Sequence, residues 1–159
     1  MRDDQFERLY AAEAAGLFSF LAYRTGDRSL AEDLLADAFE RALRSRRRFD
    51  RRRGSEKTWL YAIALNALRD HARRAAAETR ALERAGAPDG PPSALEQVEH
   101  RDQIARAMAS LTDEEREAIS LRFGADLTVP EIAKVLGEPL TTVEGRVYRA
   151  LRKLRGELV

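Results

Sequence analysis

The sequence predicts an all-α fold of two small helical domains joined by a flexible linker. Apolar residues recur every three or four positions, and no stretch of useful length alternates like a β-strand. The segment 85–93 contains three of the five prolines and two of the nine glycines, which is the composition of a linker. We therefore expect domains at 1–78 and 94–159, with the linker at 79–93.

The composition is that of a soluble, folded protein, with 35% charged and 44% hydrophobic residues. The absence of cysteine excludes disulfides and thiolate metal sites. No apolar run approaches the roughly 20 residues that a membrane span needs, and the N-terminus does not resemble a signal peptide. We expect a cytoplasmic protein without membrane insertion.

The net charge of +1 hides a strong segregation of charge. Residues 1–40 carry 4 basic and 9 acidic groups, and residues 41–80 carry 13 and 4. Residues 81–140 carry 6 and 12, and residues 141–159 carry 5 and 2. Two basic blocks separated by acidic ones indicate two separate contacts with a polyanion.

Three helices are predicted in the N-terminal domain. The first spans Asp3 to Arg24, the second runs from about Leu30 to Arg47, and the third from Glu56 to Ala77. The intervening segment from Phe49 to Ser55 contains a glycine and a run of arginines, so we expect a loop there. Ser55 is positioned to cap the third helix.

Five helix starts carry a capping box, in which Ser or Thr and a Glu three residues later each bond the other's free backbone N–H. The five pairs are Ser29 with Glu32, Ser93 with Glu96, Thr112 with Glu115, Thr128 with Glu131, and Thr141 with Glu144. The last four pairs divide the C-terminal domain into four helices.

The last two of these helices predict a helix-turn-helix. A three-residue turn, Glu138 to Leu140, follows Gly137, which matches the short glycine-containing turn of that motif. Once the apolar side of the second helix faces inward, four basic residues point outward, as a helix in the DNA major groove requires. They are Arg146, Arg149, Arg152 and Lys153. The alternative is an ordinary helical hairpin with a solvated charged face.

The third helix predicts a second nucleic-acid contact. Trp59 and Tyr61 precede Asn66, Arg69 and Arg73, and all follow the basic loop. Aromatic residues interleaved with cations are typical of a single-stranded nucleic-acid groove. The alternative is that the two aromatic residues belong to the core, and we favour it for Trp59.

Catalytic or metal-binding constellations are missing from the sequence. His71 and His100 each lack a second histidine at ligand spacing. No nucleophile is paired with a base, and no glycine-rich loop could cradle a phosphate. We expect no enzymatic activity and no cofactor.

Several segments together resemble the extracytoplasmic-function (ECF) sigma factors. Ala31 to Leu43, followed by Phe49 to Ser55 and Trp59 to Asn66, is similar to the second conserved region of that family. Leu111 to Phe123, with Thr142 to Ala150, is similar to the fourth. The segments follow in the family's order, with a proline-containing linker between them.

The resemblance implies a promoter-specificity subunit of bacterial RNA polymerase, whose partners are core RNA polymerase and promoter DNA. It implies docking on the coiled coil of the largest catalytic subunit through Leu34, Asp37, Phe39 and Arg41. It implies melting and single-stranded reading of the downstream promoter element by Phe49, Arg52, Ser55, Asn66, Arg69 and Arg73. It implies duplex reading of the upstream element by Thr142, Arg146 and Arg149. The family often has inhibitors, so an anti-sigma factor is a further candidate partner.

The chain departs from the family's pattern at three places. Ala36 stands where the family usually has Gln, Leu43 stands where it has Trp, and Glu144-Gly145 replaces a common Lys-Ser or Arg-Ser pair. Glu144 could accept a hydrogen bond from a cytosine amino group or close the capping box with Thr141. We favour the cap, because nearby phosphates would repel a carboxylate that made an imperfect base contact.

A free DNA-binding regulator, with an N-terminal domain for dimerisation or protein interaction, is the alternative hypothesis. The basic block at 41–80 distinguishes the two hypotheses, because a dimerisation domain needs an apolar face but no arginine-rich loop.

Overall fold

The computed structural model describes residues 1–85 and 106–158, and within those ranges the chain contains helices and no strands. The all-α prediction is therefore confirmed. The helices are α1 (Asp3–Thr25), α2 (Arg28–Ser45), α3 (Glu56–Arg84), α4 (Asp113–Ile119), α5 (Val129–Leu136) and α6 (Leu140–Leu158). Helices α1 to α3 form an N-terminal lobe, and α4 to α6 belong to a C-terminal lobe that begins in the described residues at 106. In neither described range is any helix long and apolar enough to cross a membrane.

Two of the predicted helix starts in the N-terminal lobe can be compared with the structure. Ser55 caps α3 as predicted, since its hydroxyl accepts a hydrogen bond from the Thr58 N–H at 3.1 Å. The capping box at Ser29 is wrong, because α2 begins at Arg28, two residues before the predicted start at Leu30, and Asp27 caps it by accepting from the Leu30 N–H at 3.1 Å. Aspartate is as good an N-cap as serine, and its charge gains from the helix dipole.

Helix α3 is longer than the sequence analysis predicted. It continues to Arg84, beyond the expected end near Ala77 and into the expected linker. The added segment consists mostly of Ala, Glu, Arg and Leu, which are strong helix formers, and it contains no glycine or proline to stop the helix. The rest of the predicted linker, and the predicted start of a helix at Ser93, lie outside the described residues.

The C-terminal lobe contains the predicted helix-turn-helix. Thr112 and Thr128 form capping boxes with Glu115 and Glu131, as predicted. Between α5 and α6 the chain turns through Gly137, whose φ of 66° lies in the left-handed region that glycine adopts without strain. The turn has the predicted three residues, shifted by one to 137–139.

The predicted capping box of Thr141 with Glu144 is wrong. Helix α6 begins at Leu140, because the Pro139 carbonyl already accepts hydrogen bonds from the N–H groups of Thr142 and Val143 at 3.1 and 3.2 Å. Thr141 therefore lies inside the first turn of the helix, and an N-cap residue has to lie outside it. Glu144 is exposed on the same helix.

The two lobes share one hydrophobic core. Helix α1 packs against a π-helical turn at Ser120–Gly124, and α3 packs against α5. Tyr23 donates a hydrogen bond to the Met108 sulfur at 3.7 Å, and the buried apolar residues of both lobes form one continuous cluster. The C-terminal lobe is thus held directly on the N-terminal one.

The centre of the N-terminal lobe contains a buried tyrosine. Tyr61 is fully buried, its ring centroid lies 5.8 Å from that of Phe20, and its hydroxyl has no hydrogen-bond partner among the described residues. Burial, together with the nearby Glu13 carboxylate, raises the pKa of the Tyr61 hydroxyl above its ordinary value. The core interpretation of Tyr61 is confirmed, and Trp59 is partly buried against the same core.

We expect Tyr61→Phe to keep or raise the stability of the protein. A buried polar group without a partner costs roughly 1–3 kcal/mol, and phenylalanine removes that group while keeping the ring. Thermal unfolding of the two proteins measures the difference. Tyr61→Ala is the control for packing and should destabilise by about 3–5 kcal/mol. A clear loss of stability in Tyr61→Phe would contradict the interpretation.

Candidate polymerase and nucleic-acid interfaces

The four residues predicted to dock on polymerase divide between the core and the surface. Leu34 and Phe39 are 3% and 7% exposed, and Phe39 packs against the rings of Phe6 and Tyr10. Burial leaves these two side chains little surface for a partner. The helix surface beside them is formed in part by Asp37 and Arg41, whose side chains are about one-third exposed.

A single carboxylate links this surface of α2 to α3. Arg41 donates from Nε to Asp37 Oδ1 at 3.1 Å and from Nη1 to Asp70 Oδ2 at 2.9 Å. Arg73 donates to the other oxygen of Asp70 at 2.5 Å. Hydrogen bonds from Arg41 and then Arg73 hold the pKa of Asp70 below its ordinary value.

Asp70 therefore joins Arg41, predicted to bind polymerase, to Arg73, predicted to bind DNA, although Asp70 is not itself among the predicted site residues. The spacing of Asp70 and Arg73 gives a local signal for an ion pair along one helix. No sequence signal identifies Arg41 as the second partner, because it comes from another helix.

A cleft of about 690 Å³ lies between α1 and the loop that precedes α3. Of the predicted downstream-element residues, Phe49 and Ser55 line it. The Phe49 ring packs edge-on against Trp59, with centroids 5.3 Å apart. Gly54 lies beside the cleft, and a Cβ there would lie 2.8 Å from Thr58 Oγ1, so the tight approach of the loop to α3 requires glycine.

Three basic residues in the lining of this cleft were not among the predicted site residues. They are Arg8 on α1, Arg51 on the loop and Lys57 on α3. The basic run around Arg51 could have indicated that residue. Arg8 could not be found from sequence, because α1 reaches the loop only through the tertiary fold.

The remaining predicted downstream-element residues lie outside the lining of the cleft. Arg52, Asn66, Arg69 and Arg73 are all exposed. Arg69 donates to Glu117 Oε2 of the C-terminal lobe at 3.2 Å. One predicted DNA contact is therefore occupied by an ion pair between the lobes.

The predicted upstream-element residues lie on the first half of α6. Thr142 is half-buried, and the Arg146 side chain is only 17% exposed, with Nη2 3.5 Å from Glu138 Oε1 in the turn. Arg149 is 59% exposed and carries most of the accessible basic surface of these three residues.

Glu115 connects α4 to α6 through a buried carboxylate. Its side chain is 4% exposed, and Oε1 accepts hydrogen bonds from the Thr112 N–H at 2.9 Å and from Lys153 Nζ at 2.6 Å. Burial alone would raise the pKa of Glu115, but the bonds from Lys153 and Thr112 outweigh it and hold the pKa below its ordinary value of 4.5. The carboxylate is thus ionised and fixes α6 on the rest of the lobe.

Comparison with known proteins relates these surfaces to a family. The Sigma-70 region 2 model matches residues 9–78, and the Sigma-70 region 4 model matches residues 101–154. The ECF RNA polymerase sigma factor SigX of Bacillus subtilis is 30% identical over 164 residues, which cover 96% of this chain and 83% of SigX. The chain belongs to the ECF sigma factors of RNA polymerase. This membership supports the polymerase-subunit hypothesis over that of a free regulator.

Other ECF sigma factors agree with this assignment. SigC of Mycobacterium tuberculosis is 33% identical, with 91% of this chain and 78% of SigC covered. BldN of Streptomyces coelicolor is 31% identical over 95% of this chain, which spans 59% of the length of BldN.

Two solved structures share the fold of this ECF sigma factor. The sigma factor RpoE of Bartonella quintana, in complex with the anti-sigma factor NepR, is 23% identical with a TM-score of 0.77, over 97% of this chain and 96% of RpoE. CnrH, in complex with the cytosolic domain of CnrY, is 26% identical with a TM-score of 0.72, over 99% and 89% of the two chains.

We expect Glu115→Gln to lower the stability of the protein by roughly 1–2 kcal/mol at neutral pH, because the acceptor of the Lys153 hydrogen bond loses its negative charge. The pKa of Glu115 is depressed in the folded state, so its contribution is complete above pH 4.5 and disappears as the pH falls through the folded-state pKa. The difference from wild type should therefore shrink below about pH 4.

Chemical denaturation across this pH range measures the effect. Glu114→Gln, on the exposed side of the same helix, is the matched control and should change little at any pH. A stability difference for Glu115→Gln that stayed constant down to pH 3 would contradict the assigned role.

Proposed function

We propose that this ECF sigma factor docks on core RNA polymerase through α2. It contacts the melted downstream element at the cleft between α1 and the loop that precedes α3, and it binds the duplex upstream element through α6. The observation that carries this division is the position of its basic surfaces. One lies at an open cleft in the N-terminal lobe, whose lining has three basic residues and two acidic ones, Glu13 and Glu56, and the other lies on the second helix of a helix-turn-helix.

The proposed polymerase contact consists of Asp37 and Arg41. Both side chains are accessible, and they are held in one geometry by their mutual bond and by Asp70. Leu34 and Phe39 are buried, so we propose that these two residues contribute to docking only by fixing the position of α2. A preorganised pair of opposite charges suits a partner helix that also carries both signs.

The proposed downstream contact combines an aromatic residue with several cations. Phe49 lies at the cleft, and Arg8, Arg51 and Lys57 surround it. Flat rings receive unstacked bases, and cations follow the sugar–phosphate backbone. Arg52, Asn66, Arg69 and Arg73 extend the proposed path along the loop and α3. A single strand suits this surface because its unstacked bases can reach a ring while its backbone meets the cations.

The proposed upstream contact is the exposed side of α6. Its buried residues Val143, Val147 and Ala150 face the lobe, so the opposite side is available to DNA. Arg149 carries the accessible charge there, and Arg146 and Thr142 lie about one and two turns closer to the start of the helix, respectively. Residues near the start of a recognition helix are those that reach base edges.

We also propose that the chain acts in the cytoplasm, without enzymatic activity of its own and without a cofactor, as a subunit of the initiating polymerase. RpoE was solved with an anti-sigma factor bound, which supports the proposal that a protein of that class regulates this chain as well.

Run-off transcription tests the proposed function directly. We expect the purified chain with core polymerase to initiate at discrete sites in genomic fragments of its own organism, and core polymerase alone to initiate at none of them. The chain alone should bind the same promoters weakly. Tight promoter binding by the free chain, with no initiation alongside core polymerase, would favour a free regulator instead.

We expect Arg41→Ala to weaken binding to core polymerase by about tenfold, as for a central charged residue of an interface. Competition with a labelled wild-type chain measures the affinity. Arg44→Ala is the control, since Arg44 lies on the same helix, is 77% exposed and pairs with Glu40 at 2.6 Å. Equal losses in the two variants would show a general charge effect and would contradict the assignment of Arg41.

A further inference from the structure

A glycine occupies the middle of the DNA-facing part of α6. Gly145 is the sixth residue of the helix, and it precedes Arg149 by four positions, so the two lie on the same face. Glycine in a helix interior costs roughly 1 kcal/mol relative to alanine. Neither a turn nor a left-handed φ accounts for it here, since only Gly26, Gly54 and Gly137 have positive φ among the described glycines.

The space above Gly145 is filled by Arg149. A Cβ at position 145 would lie 3.0 Å from Arg149 Nη1 and 3.7 Å from both Cζ and Nη2. The guanidinium group therefore lies over the bare backbone of Gly145. Side chains of a helix lean toward its N-terminus, which directs Arg149 over this turn. Any residue larger than glycine would compete for the same space.

Arg149 is drawn back by the buried carboxylate of the neighbouring helix. Its Nε lies 3.9 Å from Glu115 Oε2, a loose ion pair on a side chain that remains 59% exposed. Lys153 and the Thr112 N–H already bind the other oxygen of Glu115. If Arg149 leaves, the carboxylate keeps these partners, so the release of Arg149 leaves no buried charge alone.

We infer that Gly145 is a positioning residue for the upstream contact: by carrying no side chain it lets Arg149 fold back toward Glu115, and so sets how readily Arg149 reaches DNA. The inference rests on the proposed function of α6. On binding, Arg149 exchanges Glu115 for a DNA phosphate. A side chain at position 145 would push the Arg149 guanidinium away from Glu115, and so would favour the conformation in which Arg149 extends toward DNA.

Gly145→Ala is the decisive variant, because its Cβ displaces only the far end of a flexible side chain. We expect holoenzyme carrying it to bind promoter fragments from the run-off experiment about two- to fivefold more tightly, the range for a loose exposed ion pair. The salt dependence of binding should steepen by less than one ion, because Arg149 contacts the phosphate in a larger share of the complexes. Filter binding over a series of salt concentrations measures both quantities.

Gly156→Ala is the matched control. Gly156 lies on the same helix, and a Cβ there meets nothing within 4 Å. Both variants gain helix propensity, so both should raise the unfolding temperature, and only Gly145→Ala should change DNA binding. An equal effect of the two variants on DNA binding would overturn the inference.

A double-mutant cycle tests whether Arg149 carries the effect. In an Arg149→Ala background, Gly145→Ala should leave promoter affinity and salt dependence unchanged. Persistence of the gain in that background, or a loss of affinity from Gly145→Ala in both backgrounds, would mean that position 145 acts on DNA directly and would overturn the inference. Wild-type holoenzyme that initiates nowhere would overturn the proposed function as well. If it initiates but Gly145→Ala does not change promoter affinity, only the inference about Gly145 is overturned.

Discussion

Burial of apolar surface across both lobes is the interaction on which the rest of the structure depends. Each lobe alone is a small set of helices, and small domains bury a low fraction of their surface. In this chain the cluster of buried residues runs without a break from Leu9 and Leu17 on α1 to Val147 and Ala150 on α6. Each lobe therefore supplies part of the hydrophobic contact that stabilises the other.

This shared core determines where the functional surfaces can lie. Helix α1 contributes one side to the core between the lobes and another to the cleft beside Phe49. Helix α3 packs on α2 and α5, which leaves its basic side accessible next to the C-terminal lobe. The same packing brings Arg69 against Glu117. The ion pair between the lobes and the DNA contact proposed for Arg69 therefore compete for the same side chain.

The sequence predicted those features that local chemistry determines. Thr112 and Thr128 were recognised as caps because a capping box is complete within four residues. Ser29 and Thr141 have the same local pattern and do not cap, because the chain entering each helix begins the helix before it reaches them. Whether a residue is an N-cap depends on the preceding turn, and the four-residue pattern does not include that turn.

Tertiary contacts account for what the sequence could not predict. Helical periodicity placed Leu34 and Phe39 on the apolar side of α2, and only the family resemblance assigned them to a docking surface. Both side chains are buried, so any part they have in docking is to support the helix. Asp70 and Arg8 acquire their positions only when separate helices meet. The roles of all these residues in binding stay predictions, whereas the fold and the helix-turn-helix are confirmed.

The carboxylates that hold the arginines have a consequence for the free protein. Asp70, Glu115, Glu117 and Glu138 act as built-in counterions, so the arginines that they pair with are partly neutralised within the chain before any polyanion arrives. Non-specific binding to nucleic acid increases with the number of cations that are free to neutralise phosphates, so this pairing lowers the expected non-specific affinity of the proposed DNA-binding surfaces. If these surfaces bind DNA as proposed, a ligand must present phosphates at several of these arginines to displace their carboxylates, and the internal acids then favour discrimination at the expense of binding strength.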